Sequence, residues 1–231
     1  MTLQKHDQRH PSLTVAVDGP AGAGKSTLAK IVANRLGYLY VDTGAMYRAL
    51  ALKALKTGIP PEDDTGLADM AANTSVRLER APGGGNRVFL DGTDVTAEIR
   101  EPQVEKVVSR VSACQPLRKY MVEAQRGIAA GGGVVMDGRD IGSHVLPNAD
   151  VKFFITASLS ERARRRQKQH NLAGHHNPLL ELEAEIAKRD EQDRNKGEGS
   201  LVLLPEAVLI DTTGRSVEDV VEEILSHCRR E

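Results

Sequence analysis

Hydrophobic residues in this chain fall into short, nearly continuous runs separated by longer amphipathic stretches. That is the pattern of parallel strands buried on both faces and alternating with helices. The runs are Leu13 to Val17, Tyr38 to Asp42, Gly132 to Gly138 (GGVVMDG), Val151 to Thr156 (VKFFIT) and Ala207 to Asp211 (AVLID). After the second run, Thr43-Gly44 opens a predicted helix from Ala45 to about Lys56, which Gly58 and the Pro60-Pro61 pair stop. The last helix is predicted from Ser216, a serine cap, to Arg229, with Val217, Val220, Val221, Ile224 and Leu225 on one face.

Two stretches break this rhythm. From Pro60 to Gln115 a short helix closes at Asn73. The segments SVRLER and NRVFLDG then alternate apolar with polar around APGGGN, a hairpin signal. Val95 to Cys114 reads as one helix, and Gln115-Pro116 starts another that runs to Gly131. Between Thr156 and Ala207 lies a very polar helical hairpin. The expected organisation is one α/β domain: a tail over 1–11, a core over 12–59, 116–157 and 198–231, an insertion over 60–115, and a helical excursion over 158–197.

Composition narrows the function classes. The 231 residues carry 31 Lys plus Arg against 32 Asp plus Glu, a formal charge of −1, which argues against bulk nucleic-acid binding. No apolar run approaches the ~18 residues of a membrane span, and the start, MTLQKHDQRHP, lacks a signal-type stretch. A soluble, cytoplasmic protein with a frayed N-terminal tail is expected. Cys114 and Cys228 lie far apart with no metal-ligand spacing and read as ordinary thiols. His170, His175 and His176 have no tight ligand spacing and are assigned to the loop of the polar hairpin.

The chemistry concentrates where the first strand ends. Gly19, four residues, then Gly24, Lys25 and Ser26 satisfy the phosphate-loop pattern, with an apolar strand before and a helix-forming segment after. Gly19, Pro20, Ala21, Gly22, Ala23, Gly24, Lys25, Ser26 and Thr27 are therefore the expected nucleotide-phosphate loop. Glycines let backbone N–H groups approach phosphate, Lys25 can reach the β and γ phosphates, and the Ser26 hydroxyl can join a Mg²⁺ shell.

Two later motifs occupy the same expected edge of the sheet. In DTGAMYR, Asp42 to Arg48, the arginine lies one helical turn past Gly44 and can present a guanidinium fork to the crevice. A plain capped turn with Arg48 in solvent fits that motif equally well. In GRDIG, Gly138 to Gly142, Arg139 and Asp140 follow the strand VVMD, whose Asp137 resembles the acid that orients Mg²⁺ in phosphate-loop proteins. The basic run Arg162 to Lys168 and the cluster Arg189, Asp193, Arg194, Lys196 read either as a solvated face or as a flap that surrounds a transferring phosphoryl group with cations.

Taken together, GPAGAGKST, DTGAMYR, Ser109, Arg118, DGRDIG and KRDEQDRNK resemble bacterial cytidylate kinases, from Leu13 to the last helix. The resemblance implies a P-loop NTPase core with a mostly parallel five-stranded sheet flanked by helices, an α+β nucleotide-binding insertion and a helical lid. It implies ATP and Mg²⁺, with CMP or dCMP as the small-molecule acceptor, no nucleic acid or membrane partner, and a monomer. It places Arg48 and Arg139 on the acceptor phosphate, Ser109, Arg118 and Asp140 on cytosine, and Arg189 and Asp193 near the ribose and phosphates, with Asp42, Thr43 and Lys196 also lining the acceptor. Lys25, Arg139 and Arg189 would perform the transfer, and Ser26 and Asp137 would hold the metal. The family often has Arg where this chain has Lys196, which keeps the charge but loses the planar fork.

Base chemistry agrees with that placement. The exocyclic amino group of cytosine calls for a carboxylate, and its N3 and O2 call for Arg or Ser donors. Competing readings are another acceptor on the same architecture (adenylate, thymidylate or shikimate), a guanine-nucleotide switch, and a nucleotide-dependent nucleic-acid binder. For the switch, Asn195-Lys196-Gly197-Glu198 is only superficially similar to a guanine-reading NKxD element, since Glu replaces Asp and no apolar strand precedes it. The DDTG at Asp63 to Gly66 likewise follows prolines rather than a strand.

Overall fold

In the computed structural model, which describes residues 12–229 except 83, 173–176, 196 and 198, all five apolar runs become strands of one sheet. They are β1 (Thr14–Asp18), β2 (Leu39–Asp42), β6 (Val134–Asp137), β7 (Val151–Thr156) and β8 (Val208–Asp211), in spatial order β2-β6-β1-β7-β8. Every pairing among them is parallel. Continuous apolar runs give this result because helices cover both faces and leave no polar side for a strand to show. The expected tail, His175, His176, Lys196 and Glu198 lie outside the described residues.

One face is packed by α1 (Lys25–Leu36) and α8 (Val217–Cys228), around Val15, Val17, Leu28, Val32, Phe153, Val221 and Ile224. The other is packed by α2 (Thr43–Thr57) and α5 (Gln115–Ala129), around Met46, Leu50, Leu117, Met121 and Met136. Each fully buried side chain of this kind contributes about 1.5–3 kcal/mol before chain entropy is subtracted. The second apolar cluster continues without a break into the insertion, through Leu67, Met70, Val88, Val104 and Val108. The insertion is thus built onto the core rather than around a core of its own.

The insertion contains α3 (Asp64–Ala72), an antiparallel sheet of β3 (Val76–Arg80), β4 (Asn86–Leu90) and β5 (Thr93–Asp94), and α4 (Pro102–Val111). The hairpin matches expectation, and the two-residue β5 is an addition that periodicity cannot register. The single helix expected over Val95 to Cys114 is not formed. Instead a short 3₁₀ turn at Glu98–Arg100 precedes α4. The reason is Pro102, which has no N–H to donate, keeps Glu101 extended and occupies the first turn of α4. Helix α2 likewise begins two residues earlier than expected, because the Asp42 carboxylate accepts the Ala45 N–H at 2.8 Å and caps it.

Asn86, the first residue of β4, joins the insertion to the sheet. Its amide donates to Tyr40 O at 2.8 Å, and its Oδ1 accepts from Asp42 N at 3.0 Å, both on the outward side of edge strand β2. The polar helical hairpin is α6 (Leu159–Leu172) and α7 (Leu179–Arg194), which close around Ala163, Leu182 and Ile186.

Candidate active site

Strands β2, β6 and β1 end in Asp42, Asp137 and Asp18, and register sets Asp42 and Val17 beside Asp137. This carboxyl edge forms the floor of a cleft of about 640 Å³. Ala21, Gly22, Gly24, Lys25, Ser26 and Thr27 line it, while Gly19, Pro20 and Ala23 lie behind the surface. Gly19 must be glycine: its φ is +146°, and a Cβ there would overlap the Ile155 carbonyl oxygen of β7. The loop leads into α1 through Gly24 (φ 93°), with no side-chain cap and no acid in the first turn, so the N–H groups at this helix end face the cleft without a built-in anion.

Lys25 is only 5% exposed and donates to Pro20 O at 2.8 Å. Burial, reinforced by the charge of Arg139, lowers its pKa to about 7. Ser26 donates to Asp137 Oδ2 at 2.8 Å and Tyr40 to Asp137 Oδ1 at 2.9 Å. Burial and the neighbouring charge of Asp42 raise the Asp137 pKa to about 6, despite Lys25 and these two donors.

Asp18 has a separate task. Its two oxygens accept the N–H groups of Ile141 and Gly142, each at 2.8 Å. The GRDIG segment therefore continues into a π-helical turn over Ile141–Val145 anchored to the end of β1. That anchor fixes where Arg139 and Asp140 stand. Replacing Asp18 with Ala leaves two buried donors unsatisfied and is expected to cost roughly 2–3 kcal/mol of stability, read from chemical unfolding. A loss under about 0.5 kcal/mol would show that water replaces the carboxylate.

The other predicted residues converge on the same cleft, and most are already paired. Arg139 donates through Nε to Asp193 Oδ2 at 2.7 Å. Arg118 and Asp140 form a buried ion pair, and Arg118 stands 5.6 Å from the Tyr47 ring centroid. Arg189 donates to Glu105 Oε1 at 3.0 Å, and burial together with the nearby Arg139 charge lowers its pKa. Arg48 Nε lies 3.5 Å from Glu105 Oε2. Ser109 lines the cleft from α4. Asp42 and Thr43 also line it but spend polar atoms on the scaffold: Asp42 caps α2, and the Thr43 hydroxyl donates to Asp137 O at 2.7 Å. Lys196 is outside the described residues, as stated above.

The motifs did not single out Asp18, Glu105 or the way the polar helical hairpin is tied down. Arg162 donates to Ala157 O at 3.0 Å and Ala21 O at 3.1 Å and pairs with Asp190 at 2.7 Å, while Arg165 donates to Ala23 O at 3.2 Å and Thr212 O at 2.8 Å. The arginine run is thus partly a clamp on phosphate-loop carbonyls. For Glu105 the available signal was its spacing of four from Ser109 along one helix.

Residues 15–230 match the family model described as Cytidylate kinase. A cytidylate kinase of Symbiobacterium thermophilum is 68% identical, over 94% of this chain and 96% of its own length. One from Pelotomaculum thermopropionicum is 50% identical, over 92% of this chain and 94% of its own length. Among solved structures, an uncharacterized protein from Eubacterium ventriosum aligns with a TM-score of 0.54 over 94% of this chain and 98% of its own, at 11% identity, a likeness of fold alone. With its phosphate loop on a five-stranded parallel sheet and a family match across nearly its whole length, the chain belongs to the cytidylate kinase family.

Proposed function

We propose that this chain transfers the γ-phosphoryl group of ATP to CMP or dCMP, giving CDP or dCDP, in pyrimidine nucleotide metabolism. The observation that carries this reading is a single cleft whose walls include the Gly22–Thr27 loop, the arginines Arg48, Arg139 and Arg189, and the buried Arg118–Asp140 pair. One end suits a triphosphate and the other a base with an amino group, with cations between them.

In this reading Gly19 to Thr27 hold ATP, Arg48 and Arg139 hold the acceptor phosphate, and Ser109, Arg118 and Asp140 hold cytosine. Arg189 and Asp193 attend the ribose and phosphates. Asp42, Thr43 and Lys196 complete the acceptor side. Residues 60–115 act as the monophosphate-binding insertion and 158–197 as the lid. The acceptor phosphate, with a second pKa near ~6, is mostly a dianion at neutral pH, so the protein needs no general base. Its work is to align two charged groups and spread Lys25, Arg139 and Arg189 around the moving phosphoryl group.

The Ser26 hydroxyl and Asp137 carboxylate are hard oxygen donors of the kind Mg²⁺ accepts, and no cluster of three or more His, Cys, Asp or Glu ligands occurs among the described residues. Those two residues would hold Mg²⁺ together with nucleotide phosphates, where it supplies neutralisation of phosphate charge. The enzyme is proposed to act as a cytoplasmic monomer on small molecules alone. Among the described residues no helix is long and apolar enough to cross a membrane.

Initial rates with CMP, dCMP, UMP and AMP at fixed ATP test the assignment, and rapid use of AMP with CMP left unconverted would reject it. Within the same assay, Arg189→Ala is expected to lower kcat by about 10²-fold. The Kd for ATP should change by less than about threefold. An unchanged kcat would remove Arg189 from the transfer step.

A further inference from the structure

Glu105 has no role in the reading above, yet it stands among three arginines. It projects from α4 into the cleft on the same helical face as Ser109. Its Oε1 lies 3.0 Å from Arg189 Nη1 and 3.8 Å from Arg166 Nη2, and its Oε2 lies 3.5 Å from Arg48 Nε. Those arginines belong to α7, α6 and α2, so one carboxylate of the insertion is shared by both lid helices and the core. Burial would raise its pKa, but the charges of Arg48, Arg189 and Arg166 outweigh burial and hold the carboxyl below the usual range. At neutral pH it is an anion.

A carboxylate facing three guanidinium groups presents to them what a phosphate monoester presents: paired oxygens and negative charge. The remaining cleft arginines named above have other partners, Arg139 with Asp193, Arg118 with Asp140 and Arg165 with Glu161. Glu105 is therefore the counter-ion standing on Arg48, one of the two arginines to which the acceptor's phosphate has been assigned.

We infer that Glu105 is a built-in competitor of that phosphate: it occupies the Arg48, Arg166 and Arg189 cluster in the free enzyme and gives way when the monophosphate binds. This rests on the proposed placement of the acceptor at Arg48. Binding then exchanges ion pairs instead of creating them, which weakens capture, and the carboxylate retakes the arginines as product leaves, which aids release. Glu105 tunes acceptor affinity without touching the reacting atoms. The opposite role, a brace that organises the arginines, predicts the opposite sign for its neutralisation.

The test compares full-length wild type with Glu105→Gln and Glu105→Ala, which remove the charge, and Glu105→Asp, which keeps it. The side chain is one-third exposed on a helix surface, so the substitutions are compatible with folding, and thermal unfolding checks this. The first measurement is calorimetric binding of inorganic phosphate with ADP saturating, so that the phosphate loop is filled and cytosine recognition is not needed. Gln and Ala are expected to bind phosphate about five- to tenfold more tightly than wild type, with Asp within about twofold. The second is steady state: KM for CMP falls in the same proportion in Gln and Ala, while kcat stays level or drops as release slows. Folded Gln and Ala variants that bind phosphate no better than wild type, or worse, overturn the inference. If phosphate binding tightens while CMP is not turned over by wild type, the acceptor assignment fails and the role of Glu105 as a competing anion stands.

Discussion

A Lys25→Met variant is expected to lose about three orders of magnitude in kcat while remaining folded. The side chain sits in the wall of the phosphate loop with its amine on Pro20 O, so a thioether of similar length fills the space but offers phosphate no charge. The same burial makes a second result measurable. With its pKa lowered to about 7 in the free protein, Lys25 loses its proton far more readily than an ordinary lysine and becomes increasingly neutral as pH rises above neutrality. An incoming triphosphate favours the ammonium form, so binding takes up protons, and more of them at pH 8.5 than at pH 7. Calorimetry of ATP binding in two buffers of different ionisation enthalpy reads this directly, and the Met variant should show no such uptake. Heats independent of buffer at pH 8.5 would contradict it. The stability counterpart follows from the same shift. Between about 7 and the ordinary value of 10.5, the folded state binds fewer protons at this site than the unfolded state. The Lys25 contribution to stability therefore rises with pH across that window, and the Met variant lacks the slope.

Replacing Asp140 with Ala is expected to cost about 3–5 kcal/mol of stability, because it leaves the buried Arg118 without its counter-charge. Only Oδ2 of Asp140 is committed to Arg118, which leaves Oδ1 for an amino group of the base. On the proposed assignment, the variant's preference for CMP over UMP, as a ratio of kcat/KM, should also fall about tenfold or more. The double change Arg118→Met with Asp140→Ala separates the two effects. It removes both charges, so stability should largely return while discrimination between the bases does not. A single variant that is fully stable, or one that keeps the wild-type ratio for the two bases, would detach Asp140 from the corresponding role.

The parallel sheet was legible because a strand covered on both faces has no choice but a continuous apolar run, and Leu13 to Val17 and Val151 to Thr156 are such runs. The phosphate loop was legible because its residue types are dictated by backbone approach and charge. The limits are equally physical. An aspartate before a helix looks the same whether it caps the helix or meets a ligand, and Asp42 does cap α2. Pro102 divides a stretch whose periodicity is otherwise helical, a division that apolar spacing alone does not weigh. Asp18 and Ile141 are far apart in sequence, and Glu105 meets Arg48, Arg166 and Arg189 only after three elements have packed. Such charge clusters are products of topology, which local patterns do not encode.

The outer margin of β2 is where one further chain could add itself, since Tyr40 O and Asp42 N point outward there as an unpaired strand would offer them. The amide of Asn86 satisfies both, imitating with a single side chain the peptide group of a neighbouring strand. A sheet finished in this way presents no template for intermolecular strand pairing at that margin, so the hairpin that carries Asn86 also protects the folded enzyme against aggregation.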